Sequence, residues 1–186
     1  MRDEQAHERR ASPMRDLVRE GFLRRVFEEA QAYAAGSAIF RVQPCMGDPP
    51  FAYLATFNAP CYVRRSSGVV ELDRAGFTIG IAFPPNYLQL PVVPSPEVLH
   101  FLGPRDVWHP NVRWPFICIG RIAGGTSLIE LALRCYELTT FQRKANPTEW
   151  DALNPEACQW ARSHWPVEPT CRLPLKYGRP LKEAKK

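Results

Sequence analysis

The chain has 186 residues, 24 Lys+Arg against 19 Asp+Glu for a formal charge of +5, and 45% hydrophobic residues. That length suits one domain able to bury a core without disulfides or metals, and 23% charged with 11% aromatic residues excludes a disordered chain. Its 19 prolines, about twice the usual share of roughly 5%, argue against a long helical bundle and for strands joined by rigid turns.

The first ten residues, MRDEQAHERR, contain no apolar stretch of the kind a secretion signal needs. No run approaches the ~18 apolar residues of a membrane span, so a cytoplasmic protein without membrane partners is expected. Residues 1–12 are expected to form a flexible lead-in. A helix is predicted over 13–35: Ser12 can cap it, Pro13 suits its first position, and Val18, Phe22, Val26, Ala30 and Tyr33 recur at helical spacing before Gly36. From Ser37 to Phe83 the pattern changes to short β-type runs, AIFRVQP, FAYLATFN, CYVRR, GVVEL and FTIGIAF, separated by turn residues. These predict an antiparallel meander of about four strands.

Residues 84–119 are dense in proline and aromatics and read as an irregular segment, long enough to be functional in its own right. A second helix is predicted from Ser127 to about Phe141, with Ser127 and Glu130 as a capping box and Leu128, Leu131, Cys135 and Leu138 as its buried stripe. A third runs from Asn154, its cap, through Pro155 to about Ser163. The order of helix, meander, long loop, helix and helix is that of an α+β domain, with helices on an antiparallel sheet. The stretch 166–186 is a basic, proline-containing tail. Residues 171–186 hold six basic side chains and one acidic, and the remainder is balanced at 18 and 18. The charge therefore belongs to a solvated arm or a partner-binding arm. A neutral body without an RNA-binding aromatic motif argues against nucleic acid as partner.

The six cysteines (Cys45, Cys61, Cys118, Cys135, Cys158, Cys171) include no C-x-x-C pair and the four histidines are scattered, so a structural zinc site is not expected. Phosphate-loop, dinucleotide, nucleophile-elbow and zinc-protease motifs and internal repeats are absent from the sequence. Chemistry concentrates instead in FPPNYLQLP (83–91), VWHPNV (107–112) and ICIG (117–120).

Here the chain resembles the ubiquitin-conjugating enzymes, the E2 family. Their pattern is a strand ending in F-P-x-x-Y-P, an H-P-N tripeptide, a cysteine in an I-C-L-like run, a helix, and a D-P-L-N-P-E-A-like helix start. This sequence supplies Tyr87, His109-Pro110-Asn111, Cys118, the helix from Ser127 and DALNPEA (151–157), in that order, and the resemblance covers residues 13–164. The resemblance implies a UBC-like α+β domain over 13–165. Cys118 is then the nucleophile that accepts a ubiquitin-like protein from an E1-like enzyme as a thioester and passes it to a target amine, without metal or soluble cofactor.

Thioester exchange needs an accessible thiolate; the alternative for Cys118 is a buried thiol in a strand. Asn111 is implied either to donate to the oxyanion or to hold the loop. His109, Pro110 and Tyr87 are implied to be structural, a general base paired with Cys118 being the alternative for His109. Asp151 matches the acidic gate that positions and deprotonates an incoming lysine, or is an ordinary charge at a helix N-terminus. The N-terminal helix, through Arg15, Arg19, Arg24 and Arg25, is the implied E1-docking face, unless those arginines only solvate it.

The sequence departs from the family in several places. His109 to Cys118 is one residue short, so that loop is expected to have its own conformation. Gly120-Arg121-Ile122 stands for D-x-L, Ala123-Gly124-Gly125-Thr126 for the W-S-P loop, and Gln89 for a ligase-binding aromatic, and the last helix is expected to be shortened or missing. Retained core chemistry with altered ligase-facing loops fits a divergent, bacterial E2 of an antiphage conjugation operon. A catalytically inactive module of the same fold, binding ubiquitin-like or E1-like partners, is the alternative.

Overall fold

The computed structural model describes residues 16–143, 151–164 and 167–171. The expected lead-in, the expected cap Ser12 with Pro13 and most of the basic tail lie outside these residues, and the first helix starts at Leu17, four residues later than expected. Helix α1 (Leu17–Ala35) is capped by Asp16, whose carboxylate accepts from the Arg19 N–H at 3.0 Å. Strands β1 (Phe40–Gly47) and β2 (Pro50–Phe57) follow, then β3 (Cys61–Arg64), β4 (Val70–Asp73) and β5 (Phe77–Ala82). A short helix α2 (Ser95–Val98), strands β6 (Leu99–Gly103), β7 (Val112–Arg113) and β8 (Phe116–Ile117), and helices α3 (Leu128–Thr139) and α4 (Pro155–Ser163) complete the described order.

Six strands form one antiparallel sheet in the order β1-β2-β5-β6-β8-β7, and β3 and β4 pair separately. The architecture is thus α+β. It corrects the expected four-strand meander in one respect. CYVRR and GVVEL are strands, but they leave the main sheet as their own hairpin. The fourth meander strand is β6, inside the segment read as irregular. Both choices satisfy alternation: β5 buries Phe77, Ile79 and Ile81, β6 buries Leu99 and Phe101, and β3 buries Cys61 and Val63.

Helices α1 and α3 pack against each other and cover the inner sheet face. Phe22, Leu23, Val26 and Ala30 supply the α1 stripe, whereas Val18, expected within it, is 75% exposed. In α3, Leu128, Leu131, Cys135 and Leu138 are buried. Ser127 accepts from the Glu130 N–H at 3.2 Å, but the Glu130 carboxylate pairs with Arg134 one turn on, so only half of the expected capping box forms. Among the described residues no helix is long and apolar enough to cross a membrane.

Candidate active site

Where β5 ends, the chain turns beneath α1. Phe83 and Tyr87 are buried with ring centroids 4.8 Å apart, and Phe22 lies 5.3 and 5.8 Å from them. The Tyr87 hydroxyl donates to the Thr126 carbonyl at 2.8 Å, tying this turn to the loop before α3; burial pushes its pKa up to about 12. Gly124 sits on the same seam. A Cβ there would lie 2.2 Å from the Leu90 carbonyl oxygen and 2.7 Å from that of Tyr87, so only glycine lets the two loops touch.

His109-Pro110-Asn111 makes a tight turn, with the Val112 N–H donating to the His109 carbonyl at 3.1 Å. The chain then runs through the β7–β8 hairpin, whose turn holds the cis Trp114-Pro115 bond. This compact hairpin spans most of the interval from His109 to Cys118. Val112 faces Ile117 in its register, which brings Asn111 opposite Cys118 at its open end. The two residues are bonded twice. The Cys118 N–H donates to the Asn111 carbonyl at 2.9 Å, and Asn111 Nδ2 donates to the Cys118 carbonyl at 3.2 Å. Asn111 Oδ1 is buried without a partner. Ile117 and Ile119 are buried, so alternation leaves Cys118 between them half-buried and facing outward. Beyond it, Gly120 adopts φ +88° and Ser95 Oγ donates to its carbonyl at 3.1 Å, strapping the loop to the start of α2.

His109 is 1% exposed, and its Nδ1 accepts the Asn111 N–H at 3.0 Å. Burial lowers its pKa to about 3; the Leu138 carbonyl beside it offsets a part, but Nε2 makes no hydrogen bond of normal geometry. Its ring lies 4.3 Å from that of Phe141. With Nδ1 accepting from the Asn111 backbone and Nε2 enclosed, neither ring nitrogen hydrogen-bonds the Cys118 thiol among the described contacts, and the side chain ties the turn to its own backbone.

Pro110 is buried, and its carbonyl accepts the Asn154 N–H at 3.0 Å. Asn154 in turn caps α4 through the Ala157 N–H at 3.1 Å. The exposed Asp151 therefore begins a segment anchored, three residues later, on the tripeptide beside Cys118. Of the four arginines singled out, Arg15 lies outside the described residues. Arg19 is committed to the Phe83 carbonyl at 3.1 Å, and Arg24 and Arg25 are exposed.

Of the six cysteines, Cys61, Cys135 and Cys158 are buried. Burial pushes the Cys61 thiol up to about 12 and that of Cys135 higher still. Cys45, Cys118 and Cys171 are at least partly accessible, and among the described contacts Cys118 is the one with a side-chain amide on its own peptide. Among the described residues no three His, Cys, Asp or Glu side chains come together as a metal-binding group.

Sequence reasoning did not single out Tyr62, Arg64, Trp108, Glu156 and Trp160, which bind α4 to the tripeptide. Arg64 pairs with Glu156, its guanidinium carbon lies 4.7 Å over the Trp108 ring, and Tyr62 and Trp160 rings lie 5.2 Å apart. Alternation in CYVRR was the available signal, since it gives β3 a second face. No protein-family model matches the chain, and no curated protein matches it.

Proposed function

We propose that this protein is an E2-like acyl transferase with a UBC-like fold. Cys118 carries the C-terminus of a ubiquitin-like protein as a thioester, received from an E1-like enzyme and delivered to a target amine. One observation carries the proposal. Cys118, with its thiol half-buried and outward-facing, is held opposite Asn111 by a backbone hydrogen bond and by the Asn111 amide donating to the Cys118 carbonyl, on a loop braced by a neutral buried histidine. The order of landmarks along the chain and the α+β arrangement are compatible with it.

In the first step the Cys118 thiolate attacks the incoming thioester carbonyl. The donor's thiolate leaves and takes up the proton that Cys118 released, and the acyl group now sits on Sγ. In the second an amine attacks the same carbonyl carbon, its extra proton passing to Asp151 or water. The C–S bond breaks and the departing thiolate is reprotonated. Charge on the carbonyl oxygen peaks in between, where the Asn111 amide can donate to it. Arg24 and Arg25 remain as the cationic part of an E1-docking face on α1. The proposed setting is a bacterial antiviral conjugation system.

The test is acylation with a glycine-terminated peptide thioester followed by mass mapping. A thiol-reversible adduct on Cys118, lost in Cys118→Ala and retained in Cys45→Ala, supports the transferase. Persistence of the adduct in Cys118→Ala removes the proposed nucleophile. Absence of any adduct favours a binding module of the same fold.

A further inference from the structure

The β3–β4 hairpin lies outside the main sheet, yet β3 is in contact with both halves of the site. Its alternate residues face two ways. Cys61 and Val63 are fully buried in the core, while Tyr62 and Arg64 face the other side and meet α4. On α4 the matching residues are Glu156 and Trp160, four apart and therefore on one helical face. Two strand residues at i and i+2 thus engage two helix residues at i and i+4, an arrangement that fixes the angle of α4 on the hairpin.

Arg64 also reaches the nucleophile side. Its guanidinium stacks over Trp108, the residue before the His109-Pro110-Asn111 turn. The backbone repeats the link, with the Trp108 N–H donating to the Tyr62 carbonyl at 2.7 Å and the Arg64 N–H to the Asp106 carbonyl at 2.8 Å. The Arg64 side chain therefore sits between the approach to Cys118 and the helix that follows Asp151, while the Asn154–Pro110 hydrogen bond gives α4 a pivot on the tripeptide itself.

We propose that Arg64 is a positioning residue for the amine-transfer step: bridging Trp108 and Glu156, it sets α4, and with it Asp151, at the angle that serves an amine attacking acylated Cys118. This rests on the acyl-transfer reading of Cys118. The Arg64–Glu156 pair is 40% and 72% exposed, and a pair so open to water contributes little to stability. A defect confined to transfer is accordingly separable from unfolding.

The experiment uses the full chain, a glycine-terminated peptide thioester to acylate Cys118, and a chase with free lysine. Arg64→Ala and Glu156→Ala should acylate at the wild-type rate with unchanged melting midpoints. Their chase should slow about fivefold, the most an exposed ion pair ordinarily supports. The double substitution should be no slower than either single one, and the reversed pair, Arg64→Glu with Glu156→Arg, should recover most of the rate. Arg64→Lys, which keeps the charge but loses planar stacking, should fall between. A wild-type chase rate in Arg64→Ala, an equal loss of acylation and chase, or additive losses in the double substitution would overturn the assignment while leaving the transferase standing. Failure of the wild-type protein to acylate at Cys118 removes both.

Discussion

Replacing Asn111 by alanine separates two jobs that one amide can perform. In the resting site Nδ2 donates to the Cys118 carbonyl at 3.2 Å, beside the 2.9 Å backbone bond in the opposite sense. The substitution deletes that side-chain bond, worth about 1 kcal/mol, and leaves a partly buried carbonyl short of a donor, for about 1 kcal/mol more. It also removes Oδ1, which is buried without a partner, and so recovers about 1 kcal/mol of desolvation. The net loss is about 1 kcal/mol, which in a chain of this length lowers the melting midpoint by about 3 °C. The hairpin itself persists, because its backbone bonds do not involve the side chain.

The chemical consequence is of a different size. An amide that turns from the Cys118 carbonyl to the oxygen of the acyl group as that oxygen becomes negative supplies a donor whose removal slows such reactions by about 10²–10³-fold. Asn111→Asp keeps the shape and replaces the donor by lone pairs, so it should lose as much rate as Asn111→Ala. The assay is acylation of Cys118 by the peptide thioester, a lysine chase, and thermal unfolding of the same samples. A chase within about threefold of wild type, together with a midpoint lowered by more than about 8 °C, would refute the oxyanion role. The amide would then be scaffolding alone.

Asp151→Ala should leave acylation of Cys118 intact and slow the lysine chase about tenfold or more; equal loss of both steps would reduce Asp151 to a helix-end charge. Burial holds the folded pKa of His109 at about 3 against an ordinary 6.5, so between these values the unfolded chain binds the proton and the folded one does not. The stability tied to its neutral form is complete above pH 6.5 and is lost as pH falls. Urea titrations should show wild type losing up to about 1.4 kcal/mol per pH unit relative to His109→Gln over that window, and parallel curves would refute the burial argument. Gly124→Ala, which places a Cβ against two carbonyl oxygens, should cost about 3 kcal/mol and roughly 9 °C; a midpoint at the wild-type value would show that the seam has room. Iodoacetamide at neutral pH should label Cys118 and Cys45 well before Cys61 and Cys135, whose thiols burial keeps protonated, and earlier labelling of Cys61 on peptide mapping would contradict the burial described.

How much of this was legible in the sequence depends on how far apart the interacting residues lie. The caps of α3 and α4 were readable because Ser127 with Glu130, and Asn154 with Ala157, meet within one turn. The pairing of Asn111 with Cys118 spans seven residues and follows from a two-stranded hairpin, though the shortened interval alone did not say that one was there. Strand partners were harder. CYVRR, GVVEL and LHFLG alternate equally well, and nothing local says that β6 completes the meander while β3 and β4 step out of it. The consequence reaches the site. Once β3 leaves the sheet, Tyr62 and Arg64 are free to face a helix rather than solvent, and that helix brings Asp151. The Arg64–Glu156 contact joins residues 92 apart in sequence. Local patterns place Cys118 and Asp151 each in its own segment. In the proposed reaction the two must meet on one amine, and the contact proposed to set their approach is a distant one that only the folded chain displays.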